Sequence, residues 1–209
     1  MTQTEVEFAS LLCSRLCHDL LSPIGALNNG IELLADEQDA DMRARCLELL
    51  AESARVSANK LKFFRLAFGA AGGFGDRVDT REARAAIEGL FGADKRIQIG
   101  WMVAEPAMPK GAIKVLLNLA LIAGDALVRG GRLDVGAEGP EIVVRAEGPR
   151  LVLDPELRDA LTGALPIAQV APRSAAAWLA HALVTSEGGR IQVSEDAEGV
   201  LLFGARLAA

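Results

Sequence analysis

Tyrosine is missing from the 209 residues, aromatic side chains make up only 4% of them, and lysine and arginine nowhere gather into a block. Nucleic-acid binders need a basic footprint or a stacking platform. A chain with 22 basic and 28 acidic residues, net −6, has neither, so nucleic acid is excluded as the expected partner. No basic and apolar leader opens the chain, because "MTQTEVEF" is polar and acidic. The longest apolar stretch, "GAIKVLLNLALIAGDALV", is interrupted by Lys114, Asn118 and Asp125, too polar for a bilayer span. These absences predict a cytoplasmic protein with no membrane partner. Cysteine is scarce and odd in number. Cys13, Cys17 and Cys46 fall within helical apolar patterns, which predicts free, buried thiols rather than a disulfide framework.

Apolar residues make up 51% of the chain, enough to fill a core, and they follow two grammars. Leu12, Leu16, Leu20, Ile24, Leu27, Ile31 and Leu34 recur every three or four residues, one stripe on a helix. After the acidic break "ADEQDADM" a second stripe runs through Leu47, Leu50, Ala54, Ser57, Leu61, Phe64 and Phe68. Two long helices with a short polar loop form an antiparallel hairpin. A hairpin alone cannot bury both stripes. A second copy completes a four-helix bundle across a two-fold axis, and the alternative is packing against the rest of its own chain. "GAAGGFG", residues 69–75, reads as a linker.

The boundaries that follow are a helical hairpin over 1–70 and a second domain over 76–209. In the second, helices are expected from Thr80 as N-cap to Leu90, from the proline of "PKGAIKVLLNLALIAGDALVRGG" to its Gly130-Gly131 stop, and over "SAAAWLAHALVTSEGG". Strands are expected at "RIQIGWMV", "RLDVGAE", "EIVVRAEG", "RIQVSED" and "GVLLFGARL". The fold class is therefore α+β, with an α/β sandwich as its second half.

Histidine is nearly as scarce as tyrosine, and one of the two stands in "SRLCHDLLSP". His18 lies about 200° round the helix from Leu16, on a polar face with Arg15, Ser22, Gly25 and Asn29. An imidazole with an ordinary pKa of about 6.5 is largely neutral at cytoplasmic pH and offers a nucleophilic nitrogen. Attack on phosphorus gives a phosphohistidine, Arg15 one turn back faces the incoming charge, and Asp19 orients the ring or takes its proton. Pro23 lacks the N–H that would bond the Asp19 carbonyl, which predicts a local bulge or kink. Haem attachment is disfavoured because the two cysteines of "CSRLCH" are separated by three residues rather than two. Zinc on Cys13, Cys17, His18 and Cys46 is disfavoured because Cys17 and His18 point about 100° apart. An ordinary surface histidine remains the bland alternative.

"HDLLSP", His18 to Pro23, resembles the phosphoacceptor box of sensor histidine kinases. "SRLCHDLLSPIGALNNGIELL" with "KFFRLAFGAAG" is more narrowly similar to the ChpT histidine phosphotransferases of alphaproteobacteria. The resemblance implies a homodimeric relay in which His18 takes phosphate from the receiver domain of a CckA-type hybrid kinase and passes it to response regulators of the CtrA and CpdR type. It implies no cofactor bound by this chain, Mg²⁺ being supplied by the partner receiver. It also implies a docking footprint over Arg15, His18, Ser22, Gly25 and Asn29, with Lys62 and Arg65 at the end of the second helix. The second half resembles a degenerate histidine-kinase ATP-binding domain. Asn118 stands at the first asparagine of the Mg²⁺-binding helix, but Ile122 replaces the second. Ala146 replaces the adenine-reading aspartate, Arg150 a glycine, and "APRS" before the helix at Ser174 a phosphate-cradling loop. ATP binding is expected to be lost, which leaves an ATP-using kinase and a pure dimeric adaptor as the alternatives. His181, with no adjacent acid, is expected to be structural.

Overall fold

Asp39 closes the acidic break between the two stripes by capping a helix: its carboxylate accepts from the N–H groups of Asp41 and Met42 at 3.1 and 2.9 Å. The computed structural model describes residues 3–69, 75–92, 96–196 and 199–207. Helix α1 spans Gln3–Asp36 and α2 Ala40–Ala67, antiparallel across a three-residue loop. Arg43 ties the loop by donating to the carbonyls of Leu34 and Glu37. Close approach of the helices is needed at Gly30, where a Cβ would lie 2.8 Å from Leu50. The linker residues 70–74 fall outside the described residues.

Beyond the linker come β1 (Arg77–Asp79), α3 (Thr80–Phe91), β2 (Ile97–Val103), β3 (Ala107–Pro109) and α4 (Lys110–Ala126). Then follow β4 (Gly131–Glu138), β5 (Glu141–Glu147), α5 (Pro155–Thr162), a 3₁₀ turn (Ile167–Gln169), α6 (Ala175–Ser186), β6 (Arg190–Asp196) and β7 (Val200–Arg206). A five-stranded sheet runs in the order β2-β4-β5-β7-β6, parallel at β2/β4 and antiparallel elsewhere, and β1 pairs with β3 apart from it. Alternation puts Leu133, Val135, Ile142, Val144, Leu201 and Phe203 into the core, where α4 and α6 cover one face of the sheet. Helix α4 is buried nearly all round, which accounts for its almost unbroken apolar run. Among the described residues no helix is long and apolar enough to cross a membrane.

Several expectations need correction. The cap of α3 is Asp79, which accepts from the Arg81 N–H, while Thr80 donates its hydroxyl to the Glu105 carbonyl at 2.6 Å. Helix α4 stops at Ala126, four residues before the glycine pair. Gly130 and Gly131 adopt φ of 77° and 142° to turn into β4, and a Cβ on Gly131 would lie 2.1 Å from the Glu147 carbonyl oxygen. Apart from these corrections, α1 remains one helix across Pro23. All three cysteines are free as expected, but Cys13 and Cys17 are exposed and Cys46 is half-buried in the single chain.

The hairpin divides its stripes between two environments. Phe63, Phe64, Leu66 and Ala67 at the end of α2 join the core of the second half, and Phe8 near the start of α1 packs on Trp178 with ring centroids 4.5 Å apart. Farther along, Ile24, Ile31, Leu47 and Leu61 are exposed. Asn118 bolts the halves together: its amide donates to the Ala67 carbonyl at 3.2 Å, one of the acceptors left over at the end of α2, and to Lys114 at 2.8 Å. Asn118→Ala strands a buried carbonyl, so urea titration is expected to show a loss of about 1–3 kcal/mol.

Candidate functional site

The first structural consequence of Pro23 falls on the residue after His18. The Asp19 carbonyl, deprived of its helical donor, accepts from Lys60 Nζ of α2 at 2.8 Å. Lysine thus replaces the missing amide and lets the helix carry a proline one turn from its histidine. Lys60→Met is expected to cost about 1–2 kcal/mol by urea titration. In a Pro23→Ala background, where the amide is restored, most of that cost should disappear; an equal cost in both backgrounds refutes the substitution logic.

His18 projects from α1 with 83% of its side chain exposed, while Asp19 beside it is 17% exposed. Nδ1 of His18 lies 3.3 Å from Asp19 Oδ1. The other carboxylate oxygen, Oδ2, accepts from Arg15 Nε at 2.8 Å. Arg15, expected from its face to meet an incoming charge, is instead engaged by groups of its own chain. Its Nη2 donates to Asp125 Oδ2 of α4 at 3.1 Å and its Nη1 to the Arg173 carbonyl at 3.3 Å. Burial works against the guanidinium charge, but hydrogen bonds and attraction from Asp19, then Asp125, outweigh it and hold Arg15 above its usual pKa.

An open cleft of about 400 Å³ lies beside the ring, bounded by Ser14, Arg15, His18 and Asp19 on α1 and by Ala171, Pro172 and Arg173 ahead of α6. Ser22 and Asn29 are exposed farther along α1, and a Cβ on Gly25 would meet nothing within 4 Å. Lys62 and Arg65 are exposed too, but they line a separate groove between α2 and α3, with Asn59, Glu82 and Gly89. The cleft therefore joins Arg15, His18 and Asp19 and leaves out the second-helix pair.

The positions compared with a nucleotide site are occupied as follows. Ile122 and Ala146 are 3% and 0% exposed within the core, and Asn118 serves the α2 end. At the N-terminus of α6, where a phosphate would need open amides, the Glu156 carboxylate accepts from Ser174 Oγ at 2.7 Å and pairs with Arg173. The Arg173 and Ser174 bonds hold Glu156 below the usual carboxylate range. His181 bonds the Leu161 carbonyl through Nδ1 at 3.0 Å, bridging α6 to the end of α5. Among the described residues no three His, Cys, Asp or Glu side chains form a metal-holding group, and Cys13, Cys17, His18 and Cys46 do not converge.

The exposed histidine on a helical hairpin, backed by an α+β second half, defines a candidate phosphotransfer site, and known proteins agree on the class. Residues 80–199 match the family model described as the histidine phosphotransferase C-terminal domain. The protein phosphotransferase ChpT of Brucella abortus (strain 2308) is 36% identical over 205 residues, 96% of each chain. A solved bacterial phosphotransferase superposes with a TM-score of 0.85 at 35% identity, covering 99% of this chain and 98% of the other. The histidine kinase AdeS of Acinetobacter baumannii matches more loosely, with a TM-score of 0.47 and 14% identity over 91% of this chain and 97% of the other. The protein is thus a phosphotransferase. More narrowly, the chain belongs to the ChpT-like histidine phosphotransferase family.

Three residues of this site were not singled out from the sequence. Asp125 stood there only as an interruption of an apolar run. Lys60 had one signal, the donor that the Asp19 carbonyl requires opposite a proline. Arg173 contributes a backbone carbonyl, for which a sequence carries no mark.

Proposed function

We propose that His18 is the phosphoacceptor of a relay that neither binds nor consumes ATP. The observation that carries this is the division of the imidazole: Nδ1 faces the Asp19 carboxylate while the rest of the ring stands in solvent. With its proton on Nδ1, shared with Asp19, the ring presents the Nε2 lone pair. Nε2 attacks the phosphorus of an aspartyl phosphate on a partner, the new N–P bond forms, and the P–O electron pair departs with the partner's carboxylate. The ring then carries positive charge, which Asp19 stabilises. Return transfer reverses these steps on an acceptor carboxylate. The partner's receiver domain would hold the Mg²⁺, which would supply charge neutralisation at the phosphoryl oxygens.

The proposed donor is the receiver domain of a CckA-type hybrid kinase, and the proposed acceptors are response regulators of the CtrA and CpdR type. The docking strip continues from His18 along Ser22, Gly25 and Asn29, with Lys62 and Arg65 as a second, basic contact. Independence from ATP is supported by the buried Ile122 and Ala146 and by the internal carboxylate of Glu156 at α6.

A homodimer is part of the same proposal. Positions 13, 17, 20, 24, 27, 31 and 34 alternate spacings of four and three, the seam of a left-handed helical bundle. Its members Cys13, Cys17, Ile24 and Ile31 are exposed in one chain, so a second copy would cover the two thiols along with the apolar residues. Labelled ATP and a labelled phospho-receiver, offered separately, test the function. Label from the receiver alone supports the relay, label from ATP overturns it, and label from neither favours an adaptor.

A further inference from the structure

Resting on the reading of His18 as phosphoacceptor, we propose that Asp125, in the second half of the chain, is a positioning residue for phosphate acceptance, acting through Arg15 and Asp19. Three hydrogen bonds lead from α4 to the ring: Asp125 to Arg15 at 3.1 Å, Arg15 to Asp19 at 2.8 Å, and Asp19 to His18 at 3.3 Å. The side chain of His18 is otherwise in solvent, so its tautomer depends on where the Asp19 carboxylate points. That carboxylate depends in turn on Arg15.

Arg15 is long and has five donors, and two groups from the second half keep it from closing fully on Asp19. One is the neutral carbonyl of Arg173; the other is the Asp125 carboxylate. Nothing in α4 itself calls for an acid at this position. Asp125 lies in the last turn, at the negative end of the helix dipole, where an acid is disfavoured and no basic neighbour in that turn relieves it. Its ion pair is with the phosphotransfer helix instead. Neutralising it leaves Arg15 with a single carboxylate. The guanidinium then engages both oxygens of Asp19 and draws Oδ1 away from His18 Nδ1. The ring loses its bias toward a proton on Nδ1, and fewer molecules present a free Nε2.

The 209-residue chain labelled with ¹⁵N-histidine reports this directly, since it has only two histidines. Asp125→Asn and, as a second variant, Asp125→Ser are expected to shift the His18 signals toward the tautomer protonated on Nε2. They should also slow acceptance from a labelled phospho-receiver about fivefold. In an Asp19→Asn background the further loss should vanish, because the path through Asp19 is already cut. Unchanged tautomer signals, with or without a slower rate, overturn the proposal, as does an equal loss in both backgrounds. Label retained by His18→Ala refutes the phosphoacceptor assignment instead, so the two failures are separate.

Discussion

His18→Ala is expected to take up no label from a phosphorylated receiver, a fall of more than about a thousandfold, while its unfolding free energy by urea titration stays within about 0.5 kcal/mol of the parent protein. Both halves of that expectation follow from exposure. A ring 83% in solvent contributes little packing, so removing it leaves the fold intact, yet it supplies the only nucleophile proposed for the transfer. His18→Gln behaves the same way, because an amide keeps the polarity but cannot form the N–P bond. Asp19→Asn is milder. It keeps a hydrogen-bonding group beside Nδ1 but loses the charge that stabilises the ring after attack, and a drop of about ten- to a hundredfold is expected. Wild-type labelling of His18→Ala would overturn the assignment.

Ile31→Lys is expected to convert the proposed dimer to a monomer, read as a halving of mass by light scattering. Ile31 is 59% exposed in the single chain and lies on the seam with Ile24, while Leu47 and Leu61 are exposed on α2. Burying an isoleucine fully contributes about 1.5–3 kcal/mol, and a two-fold axis counts each substitution twice. Placing two ammonium groups in an apolar seam adds several kcal/mol more of desolvation, so weakening by at least about a thousandfold is expected. Ile31 is thirteen residues from His18, roughly 20 Å along a helix, so the site itself is untouched. A variant that keeps the dimer mass, or a parent protein already running as a monomer, contradicts the bundle.

Periodicity made the hairpin, the longer strands and α4 legible, since each shows its repeat over seven residues or more. It was blind to β1 and β3, three residues each, which are too short to display an alternation. The stop of α4 was misplaced because the apolar run continues past Ala126 and the glycines that follow serve a turn instead. At the site, helical spacing put His18, Arg15, Ser22, Gly25 and Asn29 on one face. Besides Asp19, the partners of Arg15 come from 110 and 158 residues away, and no local pattern reports contacts at that range. Asn118 illustrates the same limit. Its match to a metal-binding helix is visible in the sequence, whereas its actual work, holding the end of α2, depends on a carbonyl 51 residues earlier.

The contact between Phe8 and Trp178 turns the molecule into its own optical gauge. Only two tryptophans are present, and Trp101 lies on β2, so Trp101→Phe leaves a single indole emitter, packed at a tilt with its ring centroid 4.5 Å from that of Phe8 at the start of the phosphotransfer helix. Its emission colour and lifetime register whether that helix stays docked on α6 when a receiver arrives, without any dye or tag attached to the chain.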